Sequence, residues 1–159
     1  MDDDRYTRLS SGAQIDYHMT GVIDPVRRKL VLVGAGRVYV YDIGPRSWHW
    51  RKSPKTTGGD TIVNSGYPGL AYDPISGRIV AWHGGDTVYS LDLDSNAWQA
   101  HTFPGGPGAA ARNGTYKRWS YSAASDVFIL VKSMERNAYA FRPCRDRGSA
   151  ACLPERSAK

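Results

Sequence analysis

Cysteine is scarce in this chain. Cys144 and Cys152 are the only two, and they bracket "RDRGSAA". A pair so isolated does not make a zinc site. The glycine in that short stretch lets the two Cα atoms approach the range a disulfide needs. In an oxidising compartment the bond would staple the tail; in a reducing one both would stay thiols. Long apolar runs are also missing: none approaches the roughly 20 residues that cross a bilayer, and no membrane partner is expected. The opening "MDDDRYTRLS" is acidic and has no apolar stretch of the signal-peptide kind. Localisation therefore stays open between the cytoplasm, slightly favoured, and export by a leader outside this sequence.

Motifs for chemistry are lacking too. His18, His49, His83 and His101 show no metal-type spacing, so no metal or cofactor is expected. G-x-S-x-G, the P-loop and the dinucleotide fingerprint are absent, and no catalytic residue is assigned. "DLDSN" lacks the remaining ligands and terminal Glu of a calcium loop. Acids are outnumbered, 15 against 21 Lys and Arg. Concentrated basic charge attracts nucleic acid or an acidic glycan. Here it is spread over loops and tail, so a nucleic-acid partner is not expected.

What the chain does have is repetition. "KLVLVGAGRVYVYDIGPRSW" (29–48) returns as "RIVAWHGGDTVYSLDLDSNAW" (78–98). Asp24-Pro25 matches Asp73-Pro74, Leu30-Val31 matches Ile79-Val80, and Trp48 matches Trp98. A weaker third copy runs through "WSYSAASDVFILV" (119–131) and "AYAF" (138–141). A fixed period of about 50 residues marks a repeat architecture. Within the second copy, "GLAYD", "RIVAW", "TVYSLDL" and "AWQAHTF" read as short strands, separated by "PISG", "HGGD" and "DSN". Pro74 presets φ and Gly77 accepts a positive one; Gly84 and Gly85 open conformations closed to other residues. No stretch of about ten residues carries a 3.6-residue apolar stripe. Each unit is therefore expected to be a four-stranded antiparallel meander, and the fold class is all-β.

Four strands at this period point to a β-propeller blade, a reading preferred to a small sandwich or trefoil-like barrel. Gly84-Gly85, Tyr89 and Trp98, with a degraded set at Ala35-Gly36, Tyr39 and Trp48, resemble the kelch motif of galactose-oxidase-type propellers. The third copy keeps only Tyr139. The resemblance implies that Tyr39, Tyr89, Trp48 and Trp98 pack blade against blade. Galactose oxidase's copper ligands match nothing here, so its redox activity is not carried over. The expected organisation is three kelch-like blades over 1–143, with an outer strand at about 5–17 and repeats at about 18–66, 67–116 and 117–143. A basic tail follows at 144–159.

Three blades do not close a ring, since propellers use about 4–8, and open ends of a repeat array leave apolar faces bare. The expected partner is a second copy, in a homodimer forming a six-bladed ring. The N-terminal strand around Tyr6 to Leu9 would complete the partner's third blade, which lacks a fourth strand.

Meander order puts the long loops "SPKTTGGDTIVNSGYP" (53–68) and "PGGPGAAARNGTYKR" (104–118) on one face, and function favours long loops on a rigid scaffold. Asn64, Tyr67, His83, Arg112, Tyr116, Lys117 and Arg118 are the candidate ligand-binding residues, against the blander reading that they solvate loops. Asn113-Gly114-Thr115 is a glycosylation sequon, meaningful only on export. The expected function is a non-enzymatic, kelch-like module binding a glycan or a protein through this face. The alternative is a carbohydrate-active hydrolase or lyase with its site in the central channel. An enzyme of that kind needs clustered carboxylates, and the long loops offer Asp60, Asp86 and Glu135.

Overall fold

The computed structural model describes residues 15–44, 47–51, 54–133, 135, 138–146 and 152–154. Most of the expected outer strand at about 5–17, including Tyr6 to Leu9, lies outside them, as does the side chain of Trp48. The fold is all-β, with three separate antiparallel sheets following one another along the chain.

The first sheet is a meander of β1 (Thr20–Asp24), β2 (Lys29–Gly34), β3 (Arg37–Gly44) and β4 (Ser47–Arg51). The second repeats it with β5 (Gly69–Asp73), β6 (Arg78–Trp82), β7 (Thr87–Asp92) and β8 (Ala97–Thr102). The third has three strands, β9 (Trp119–Ser122), β10 (Val127–Val131) and β11 (Ala138–Phe141). The registers repeat with the sequence: Val22 faces Val31 in the first sheet and Ala71 faces Val80 in the second. The turns repeat too. Arg28, Gly77 and Asp126 close the first hairpin of their sheets, all at positive φ (52°, 67° and 47°). Two pieces of helix had no signal in the periodicity: α1 (Asp60–Asn64), and a 3-10 turn at Tyr116–Arg118. Both are shorter than the stripe a helix needs to announce itself.

Strand alternation divides the core. Val31, Val33, Val38, Leu70, Ile79, Ala81, Leu91 and Trp98 fill the space between the first two sheets. Val80, Trp82 and Val88 turn the other way and meet Trp119, Phe128 and Leu130 of the third. The first strands stand together, with β5 in contact with both β1 and β9. Trp98 is buried between sheets one and two, with Tyr89 packed on the same cluster, whereas Tyr39 lies with Met19, Leu32 and Tyr41 in a separate group. Ile129 and Val131 occupy the repeat positions of Val80 and Trp82. They are 39% and 45% exposed where their counterparts are 0% and 2%.

Arginines join the sheets along the tight-turn face. Asp24 and Asp73, at the same place in successive repeats, are both 0% exposed. Each accepts backbone N–H groups of its own turn, from Val26 and Arg27 and from Ile75. Arg27 pairs with Asp24 and reaches the second sheet at Asp94 and the Gly77 carbonyl. Ser76 stands in Arg27's place in the second repeat, and Asp73 is paired instead by Arg145 from the tail, which also holds Asp126 of the third sheet. Cys144 and Cys152 form a disulfide beside it. Leu153 N–H donates to the Cys144 carbonyl at 3.1 Å, and the Leu153 side chain is fully buried with the Trp82 and Trp119 cluster.

Candidate functional site

The loops entering β1, β5 and β9 carry an aromatic residue at the same place in each repeat: His18, Tyr67 and Tyr116. Their backbones are linked in series. Tyr67 N–H donates to the His18 carbonyl at 2.7 Å, and Tyr116 N–H donates to the Tyr67 carbonyl at 3.3 Å. Tyr67 and Tyr116 adopt positive φ, 58° and 49°, a conformation uncommon for bulky residues. The rings follow the same order, with centroids 4.7 Å apart for His18 and Tyr67 and 5.0 Å for Tyr67 and Tyr116. Tyr17, 74% exposed, extends the surface at 3.9 Å from His18. The Tyr116 hydroxyl donates to the Tyr17 carbonyl. Asp16 takes the His18 backbone N–H and ring Nδ1, and those bonds hold its carboxyl below the usual range.

Beside this collar lies an open depression of about 520 Å³, lined by Tyr67, His83, Arg112 and the small residues Gly84, Ala110 and Gly114. Glycine is required at 114, where a Cβ would fall 2.0 Å from that of Tyr67. The His83 Nδ1 is buried without a hydrogen-bond partner, and burial pushes the imidazole pKa down, so the ring is neutral at pH 7. Arg112 is exposed on the rim. Among the described residues, no carboxylate lines this depression.

Three of the seven candidate residues, Tyr67, His83 and Arg112, thus meet at one depression, and Tyr116 joins through its ring contact. The other three do different things. Lys117 donates to the Gly21 carbonyl, tying the third sheet's entry to β1, and burial lowers its pKa. Arg118 is consumed by the carbonyls of Gly114 and Lys132 and by Asn113, which braces the loop. Asn64 is exposed at the end of α1, whose Val63 carbonyl accepts from Gly36 N–H. Neither it nor Lys117 or Arg118 lines the depression. His18 and Tyr17 were not among the candidates. The signal for His18 was present, since it heads the first repeat where Tyr67 and Tyr116 head the next two.

A second cavity, of about 180 Å³, lies between the loop after β8 and the open edge of the third sheet. Phe103, Trp119, Tyr139 and Phe141 supply its apolar walls, with Asp86 and Arg142 at the rim. Among the described residues no group of His, Cys, Asp or Glu could hold a metal ion, and no helix is long and apolar enough to cross a membrane. In comparisons with known proteins, no family model and no curated protein matches the chain.

Proposed function

We propose that the chain is a kelch-like half-propeller acting as a non-enzymatic binding module, with its ligand held on the long-loop face. The observation that carries this is the convergence of Tyr67, His83 and Arg112 on one depression, supplying a phenol, an imidazole and a guanidinium. A mostly apolar or small-residue concavity with a few convergent polar groups is the usual form of a ligand site. Among the described residues its walls offer recognition groups without the paired carboxylates that glycoside hydrolysis uses.

A homodimer closing a six-bladed ring belongs to the same reading. Two observations support it. Ile129 and Val131 are exposed at positions the repeat otherwise buries, and among the described residues the third sheet has three strands. A neighbouring first sheet would cover the former. The partner's Tyr6 to Leu9 segment, added along β11, would complete the latter, with the second cavity receiving one of its side chains. The local contacts would be head-to-tail, repeated twice by closure.

Arg112→Gln and His83→Gln variants, compared with the intact chain on a glycan array and in a pull-down, test the binding site. Loss of the bound species in both variants is expected; retention in both places binding elsewhere. Sedimentation equilibrium tests the ring. A dimer is expected at micromolar concentration, and deletion of residues 1–12 should weaken it. A well-folded monomer would defeat it.

A further inference from the structure

The collar and the depression share Tyr67, so a ligand filling one lies against the other. Building on the long-loop binding reading above, we propose that this combined surface recognises an acidic glycan, with a uronate carboxylate on Arg112 and sugar rings laid on the Tyr17, Tyr67 and Tyr116 faces.

Three features choose this ligand class. The first is charge. Arg112 is exposed on the rim, among the described residues no carboxylate lines the depression, and Asp16 beside the collar is bonded to His18. Guanidinium binds planar carboxylates through two parallel hydrogen bonds. The second is the histidine: its half-buried imidazole lines the depression, and a hydroxyl can either donate to or accept from an accessible nitrogen of a neutral ring. Sugars bring hydroxyls in number. The third is the shape of the aromatic surface. Tyr67 has His18 on one side at 4.7 Å and Tyr116 on the other at 5.0 Å, with ring planes tilted by 36° and 50°. Single-stranded nucleic acid would need a basic groove tracking its backbone beside such rings, and here Lys117 and Arg118 are spent on carbonyls. What remains is a curved series of ring faces and edges, amphipathic as tyrosine is, on which the C–H faces of successive pyranoses can lie. In the closed ring the series would double, because each copy brings its own His18, Tyr67 and Tyr116, and a chain of sugars would track around the channel mouth.

The test is an NMR titration of the full-length, isotopically labelled protein with trigalacturonate, its methyl ester, and choline. Trigalacturonate should shift residues 17, 67, 112 and 116, at least tenfold tighter than the ester. Arg112→Gln should abolish that preference while leaving the spectrum folded; Tyr17→Ala, at an exposed ring, should weaken acid and ester together. Equal binding of acid and ester, or shifts with choline alone, would overturn the acidic-glycan assignment and leave the long-loop site standing. A protein captured by the intact chain and lost with Arg112→Gln, beside no response to either sugar, would do the same. Silence at this face toward every probe and in the pull-down would remove both readings.

Discussion

Asp73 shows how a single side chain can depend on a distant one. It is fully buried, its turn supplies a backbone donor, and the cation that pairs with it is Arg145, shared with Asp126. Breaking a buried pair from one side strands the remaining charge, so Arg145→Ala should destabilise by about 3–5 kcal/mol in chemical denaturation. Arg145 also lowers the Asp126 pKa, chiefly through its hydrogen bond. A depressed carboxylate contributes stability above its unfolded value of about 4 and loses it as pH falls through the folded one. The variant's acid limb should flatten accordingly. His83 acts in the same direction at higher pH. Burial depresses its pKa, so stability is complete above the unfolded value of about 6.5 and declines as pH falls below it. His83→Gln should remove that part of a melting-temperature profile between pH 7 and 5. None of the Arg145 contacts was legible beforehand. Asp24 carries its arginine three residues on, in its own turn, while the second repeat has Ser76 there. A periodic reading has no means of choosing a replacement from a tail that does not repeat.

At the scale of the element, the repeat predicted much. Strand positions, hairpin turns and the three-strand third unit follow from period-two alternation and turn residues, both local signals. The long-loop face was legible as a region but not as a site, because which loop residues meet depends on how the loops return over the sheets. Lys117 and Arg118 share the charge and neighbourhood of Arg112, yet both are spent on carbonyls. Trp98 is the element-level test of the core. It packs between β-sheets one and two, against the backbone near Gly59, where a Cβ would come 2.2 Å from the indole. Trp98→Ala should cost about 3–5 kcal/mol, read as a lowered melting temperature. An unchanged value would mean the two sheets do not rely on it.

Across the whole molecule, each sheet covers one face of the next, and the repeat makes the covering directional. The tail gives that order a consequence in time. During synthesis the second sheet leaves the ribosome complete by residue 102, yet the cation that neutralises its buried Asp73 and the Leu153 that fills its flank come about 40–50 residues later, by the numbering of the chain. Domains generally fold as units as they emerge, but here the second sheet waits for Arg145 and Leu153. Nascent chains arrested just before Cys144 should therefore stay sensitive to protease across β5–β8, and become resistant once Arg145 and Leu153 have cleared the exit tunnel. Resistance already present in the shorter chain would show that the second sheet closes without them.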